Sequence, residues 1–114
     1  MTVTIWHNPR CSKSRQTLAL VEDNASDIDV RHYLVTPPTE TEIRAALAQL
    51  ALPATALLRK GEKIFKDLGL KDVADADALI AAMATHPILI ERPIVFANGT
   101  ARIGRPPEAV LAIL

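Results

Sequence analysis

The chain predicts an α/β fold: a mixed sheet with an inserted helical subdomain, in one domain over 1–114 with the insert at about 39–86. Three observations carry this reading. The first third alternates a strand pattern, a helix pattern and a second strand pattern, which is the order of a parallel βαβ start. The middle is helical in period throughout. The last third changes to a hairpin pattern around Asn98-Gly99, adding antiparallel strands.

The elements follow in order. Thr2-Val3-Thr4-Ile5-Trp6 reads as an opening strand, and a helix is expected from Ser12 to Glu22 with Leu18 and Val21 on one face. Ile28 through Leu34 is rich in β-branched and aromatic residues and reads as the second strand, stopped by Pro37-Pro38. Thr39-Glu40-Thr41-Glu42 supplies a capping box, and Ile43, Ala46, Leu47 and Leu50 form the stripe of the helix behind it. Pro53 opens a further helical stretch through Leu57-Leu58-Arg59, broken near Gly61, and a short turn around Ile64-Phe65 ends at Gly69. Asp75 or Asp77 caps a helix carrying Leu79, Ile80 and Met83, closed by His86-Pro87. Pro93-Ile94-Val95-Phe96-Ala97 and Thr100-Ala101-Arg102-Ile103 are the hairpin strands. Pro106-Pro107 starts a final helix with Val110, Ile113 and Leu114 inward. This order of elements is that of a thioredoxin-like sheet with added helices.

Composition narrows the function. Thirteen basic and thirteen acidic residues leave no net charge, which argues against a nucleic-acid partner. Any anion site must come from local clustering. No apolar signal core and no run long enough for a membrane span are present, so no membrane partner is expected. A lone cysteine forms no internal disulfide, which fits a reducing cytoplasm.

That cysteine, Cys11, stands where the first strand gives way to the first helix, in His7-Asn8-Pro9-Arg10-Cys11-Ser12-Lys13-Ser14-Arg15. Helix-start amides lack intrahelical partners and the helix dipole favours a negative group there. Cationic neighbours lower a thiol pKa further, and Arg10, Lys13 and Arg15 are close in sequence. A buried structural cysteine is the commoner fate of such a residue, but its flanks are then apolar, and these are not. His7 shares the strand parity of Val3 and Ile5, which also suits a satisfied, partly buried histidine. His32 and His86 have no metal-ligand spacing with Cys11, so no metal is expected. Asp72, Asp75 and Asp77 read as a solvated capping cluster, and Arg102 as a solvated strand residue.

The Cys11 segment, followed by Thr17-Leu18, resembles the active-site loop of glutaredoxin-dependent arsenate reductases. Leu57-Leu58-Arg59-Lys60, His86 through Val95, and Arg102-Ile103-Gly104-Arg105-Pro106-Pro107-Glu108 resemble three further blocks of that family, in the same order. The resemblance implies that Cys11 is the nucleophile, that Arg59, Arg92 and Arg105 bind the oxyanion, and that His7 and Ser14 tune the thiolate. It also implies a cis-proline at Pro93 beside the cysteine. Guanidinium forks suit a tetrahedral oxyanion, to which each donates paired hydrogen bonds. The implied reaction reduces arsenate to arsenite with glutathione as co-substrate and glutaredoxin as partner, without a tightly bound cofactor. Ser14 occupies the place of a resolving cysteine, so the reductant must be external. The phosphatase-like arsenate reductases need Arg six residues after the cysteine, where this chain has Thr17. Two other readings share the fold: a module that binds glutathione or another oxyanion without arsenate turnover, and an RNA-polymerase-binding redox regulator. The latter usually carries a pair of cysteines, which this chain lacks.

Overall fold

The computed structural model describes residues 2–114 and divides into two compact units. One comprises the chain up to Thr36 together with Arg92–Leu114; the other is Pro37–Glu91.

The first unit is built on a four-stranded sheet. Strands β1 (Val3–Trp6), β2 (Ile28–Arg31), β3 (Ile94–Ala97) and β4 (Thr100–Ile103) lie in the order β2-β1-β3-β4. β1 and β2 are parallel, and the helix α1 (Ser12–Asn24) supplies the crossover such a pair requires. β3 runs antiparallel to β1, and β4 antiparallel to β3, giving the thioredoxin-like mixed sheet. Asn98 and Gly99 both hold positive φ, 55° and 74°, as the two-residue turn joining β3 to β4 demands. Val3, Ile5, Val21, Val95, Ala97, Val110 and Ile113 form the core of this unit, with Leu18 and Leu114 packed at its edge.

In this unit several elements differ from the sequence expectation. β2 ends at Arg31 rather than Leu34, because its partner β1 ends opposite at Trp6 and the chain then turns. In that turn the N–H groups of Val35 and Thr36 donate to the carbonyl of His32, and Tyr33 is buried outside the ladder. The C-terminal element, Pro107–Ile113, is a 3₁₀ helix rather than an α-helix. Its buried residues Pro107, Val110 and Ile113 repeat every three positions, and three residues per turn is the period that stacks them on one face. β3 begins at Ile94, one residue after the expected Pro93.

The second unit is helical. α2 (Glu40–Leu50) carries the full capping box: Thr39 Oγ1 accepts from the Glu42 N–H, and Glu42 Oε1 accepts from the Thr39 N–H. Its stripe Ile43, Ala46, Leu47 and Leu50 is buried, as are Leu79, Ile80 and Met83 of α5 (Ala76–Thr85), against which it packs. The α5 N-cap is Asp75, whose carboxylate accepts from the Asp77 N–H. Helix α3 spans only Ala54–Leu57; Leu58 and Arg59 are not helical as expected. Leu58 is extended and forms an antiparallel bridge with Ile90, where the Arg59 N–H donates to the Leu89 carbonyl and the Glu91 N–H to the Leu57 carbonyl. Helix α4 (Lys63–Asp67) ends at Gly69, whose φ of 65° is left-handed. Short 3₁₀ turns follow at Leu70–Asp72 and Pro87–Leu89.

Gly104, directly after β4, has the closest surroundings of the four glycines. A Cβ there would meet the Thr17 side chain and the Pro93 ring, 2.8 Å from its Cγ. Thr17 is fully buried and its Oγ1 donates to the Lys13 carbonyl, so it has little freedom to withdraw. Gly104→Ala is therefore expected to lower stability by about 1–3 kcal/mol, the usual cost of overpacking. Urea unfolding of the two proteins measures it, and equal midpoints would refute the clash.

Candidate functional site

The row Trp6–Ile94–Ile103 across three strands fixes where the site stands. Trp6 precedes the His7–Cys11 loop, Ile94 follows Arg92-Pro93, and Ile103 precedes Gly104-Arg105. The register therefore delivers Cys11, Arg92 and Arg105 to one end of the sheet. The Arg92–Pro93 and Arg105–Pro106 peptide bonds are both cis, the first as the resemblance implied.

Cys11 is the N-cap residue of α1 and is half-buried. Burial pushes its thiol pKa up, but the backbone N–H groups of Ser14 and Lys13 and the Arg92 guanidinium outweigh that. The net effect holds the thiol below its ordinary value. The Arg105 Nη2 stands 3.6 Å from Cys11 Sγ, and the Arg105 Nε donates to the Arg92 carbonyl at 2.8 Å. Two guanidinium groups thus converge on one sulfur. By sequence alone, Arg10, Lys13 and Arg15 are the cations expected to lower the thiol pKa. The structure gives that role to Arg92, distant in sequence, and Lys13 contributes through its backbone amide. Arg15 is turned away to donate to the Pro9 carbonyl.

His7 and Ser14 are both buried and joined at 2.7 Å between Nδ1 and Oγ. Burial lowers the His7 pKa, and the positive fields of His32 and Arg15 lower it further, against a smaller opposing effect of Glu22. His7 thus holds its proton less tightly than a free imidazole, which favours the neutral ring. Its bond acts on Ser14, whose Oγ also accepts from the Asn8 N–H.

Asn8 is a site residue that the sequence reasoning left without a role. It is buried, its N–H meets Ser14 Oγ, and its Oδ1 accepts from the Arg10 N–H. The signal was present: Asn-Pro is a turn-forming dipeptide, and an Asn side chain closes such a turn by accepting from the backbone two residues on. His32, weighed in the sequence only as a metal ligand, stands with its ring edge-on to His7 at 5.8 Å.

Arg59 belongs to the helical unit and is ion-paired there. Its Nη1 lies 2.7 Å from Glu91 Oε1 and its Nε 3.1 Å from Glu62 Oε1. Burial opposes its charge, but the two carboxylates outweigh that and hold its proton more tightly than usual. The extended pairing of Leu58 with Ile90 is what sets Arg59 beside Glu91. Among the described residues, no group of three or more His, Cys, Asp or Glu side chains is placed to hold a metal ion. Among the described residues, no helix is long and apolar enough to cross a membrane.

Two expectations follow. Alkylation of Cys11 should titrate with a midpoint below that of a free thiol, about 8.5, and Arg92→Ala should move the midpoint upward. A wild-type midpoint at the free value would remove the electrostatic account. For His7 the folded pKa lies below the unfolded one, so the unfolded chain binds more protons as pH falls below about 6.5. Stability should then decline with acidification through that window, and His7→Gln should lose that part of the slope in urea titrations.

The profile of the ArsC family matches residues 6–113. An arsenate reductase of Neisseria meningitidis is 46% identical, with 98% of this chain and 97% of that protein covered. The Escherichia coli K12 protein YfgD, described as uncharacterized, is 50% identical over 98% of this chain and 96% of its own length. The solved structure of an arsenate reductase from Vibrio cholerae superimposes with a TM-score of 0.96 at 52% identity, covering 100% of this chain and 98% of that one.

Proposed function

The chain belongs to the ArsC family, and from that premise we propose that it reduces arsenate to arsenite through Cys11, with glutathione and glutaredoxin as the reducing system. The observation that carries the reading is the convergence of Arg92 and Arg105 on the lone thiol, with Arg105 Nη2 3.6 Å from the sulfur. Relatives named arsenate reductases in Neisseria and Vibrio support it.

In this reading the Cys11 thiolate attacks arsenic and displaces one oxygen of arsenate, which leaves as water after protonation. Arg92 and Arg105 donate to the remaining oxygens; Arg59, the third oxyanion residue the resemblance implies, holds Glu62 and Glu91 within the helical unit, and substitution tests its part. A glutathione thiolate then attacks the Cys11 sulfur. The S–As electron pair goes to arsenic, which leaves as arsenite, and a Cys11–glutathione disulfide remains. Two thiols are oxidised as As(V) becomes As(III). With Ser14 in the place of a second cysteine, nothing internal resolves that disulfide, so a glutaredoxin thiolate must take the glutathione. Such a thiol works in a reducing cytoplasm, the compartment this reading assigns.

His7 and Ser14 act as positioning residues. Their bond, with Asn8, holds the loop so that the amides of Lys13 and Ser14 face the thiolate.

The test is an NADPH-coupled assay with arsenate, glutathione, glutaredoxin and glutathione reductase. Wild type should turn over and Cys11→Ser should not. Thioredoxin in place of the glutathione system should support little activity. Arg92→Ala, Arg105→Ala and Arg59→Ala should each weaken oxyanion binding by roughly tenfold or more, as loss of a charge-assisted bond worth about 1.5–3 kcal/mol requires. Trp6, packed on Phe96 at the start of the thiol loop, provides the fluorescence readout. Full activity in Cys11→Ser would overturn the reading. Glutathionylation of Cys11 without arsenite formation would replace it with a glutathione-binding role.

A further inference from the structure

Four of the five lysines, Lys60, Lys63, Lys66 and Lys71, fall within residues 60–71 of the helical unit. They are not equivalent. Lys63 Nζ pairs with Asp67 Oδ2 at 3.5 Å across one helical turn. Arg59, next to Lys60, holds Glu62 and Glu91. Two of the acids in this segment, Glu62 and Asp67, are thus taken up by cations other than Lys60, Lys66 and Lys71. Those three form no ion pair among the described residues, and neither does the exposed Asp72.

The three lysines without a counter-charge line one cavity of about 580 Å³, together with Phe65 and Gly69. Its volume falls in the range of small-molecule sites, roughly 300–1,000 Å³. Phe65 and the methylene stems of the lysines offer apolar wall, while the ammonium heads supply positive charge at the rim. Like charges gathered round a cavity without neutralisation raise its potential for an anion. Lysine is a point-charge donor well suited to phosphate. None of the lining residues belongs to the Cys11 site.

We propose that this cavity is a second ligand site, for a small organic anion with a flat apolar body and a phosphate-type group. The apolar wall takes the body and the three ammonium groups take the charge. None of the residues that line the cavity takes part in the arsenate reading, so the two are tested separately.

Pyridoxal 5′-phosphate is a fitting probe: it has an aromatic ring, a phosphate and an aldehyde that condenses with a lysine amine to an imine, releasing water. Borohydride reduces the imine to a stable amine, and peptide mass mapping locates it. Labelling should be saturable and concentrate on Lys60, Lys66 and Lys71, roughly tenfold over Lys13 and Lys63 in fractional occupancy at limiting probe. Pyridoxal without phosphate should label weakly, and inorganic phosphate alone should compete poorly. Anilinonaphthalene sulfonate should compete, and its fluorescence titration gives a non-covalent affinity. The double variant Lys66→Gln, Lys71→Gln should lower that affinity roughly tenfold with an unchanged thermal midpoint. Cys11→Ser should bind as wild type does, so that loss of arsenate turnover and loss of this site are read separately. Labelling spread over all five lysines without saturation, or wild-type affinity in the double variant, would overturn the proposal.

Discussion

Across the sheet, Arg31, Trp6, Ile94 and Ile103 stand in one row, and the thiol site hangs from that row. Side chains in a strand alternate faces, so a one-residue slip in any of the three ladders would turn a core face outward. The buried residues Ile5, Val95 and Ala101 resist that slip, since each is nearly or fully inaccessible. Register is therefore enforced by burial, and burial in turn fixes the point at which each strand hands over to a loop. Cys11 and Arg105 are 94 residues apart in sequence, yet the row brings a guanidinium nitrogen to 3.6 Å from the sulfur. The backbone of Arg92 completes the arrangement by accepting from the other side of the same guanidinium.

Most of this frame was legible in the chain because its signals are local. Asn98-Gly99 announces its turn, Thr39 and Glu42 their capping box, and the stripe from Ile43 to Leu50 its buried face. Where expectation failed, the deciding term was not local. The run Ile28–Leu34 has strand propensity to its end, but a strand needs a partner, and β1 stops opposite Arg31. Leu58 and Arg59 continue a helical pattern, yet Ile90 offers a bridge that draws them into extended backbone. At the C-terminus, Val110, Ile113 and Leu114 suit the inward face of an α-helix, whereas the buried set is Pro107, Val110 and Ile113, three apart. Cys11 was legible from its place at the strand-to-helix turn, whereas Arg59, Arg92 and Arg105 were accessible only through resemblance. Nothing within the segment around Cys11 tells that Arg92 outranks the cations beside it in sequence.

That ranking has a physical reason. Arg10, Lys13 and Arg15 are exposed, and exposed charges act through water, where salt screens them. Arg92 donates a hydrogen bond to the sulfur and is half-buried, so its charge acts at contact and through a lower effective dielectric. Backbone amides at the start of α1 add a second fixed source of positive potential, which no side-chain motion can withdraw. Neither source needs a protonated histidine.

The neutrality of His7 then becomes intelligible. A charged imidazole in its place would be buried, beside His32 and Arg15, with only Glu22 to offset it. Such a charge costs free energy and is expelled as a proton instead. What remains is a hydrogen-bonding ring, tied to Ser14 Oγ, which is tied in turn to the Asn8 amide. These bonds hold the loop that ends in Cys11 while leaving the net positive potential to Arg92, Arg105 and the helix start. Labour is divided accordingly: buried neutral groups fix position, and the half-buried Arg92 and exposed Arg105 supply charge at the rim where an anion arrives. A lone thiol needs that division, because its adduct must be held by groups that do not themselves react, and then surrendered to a thiol from outside.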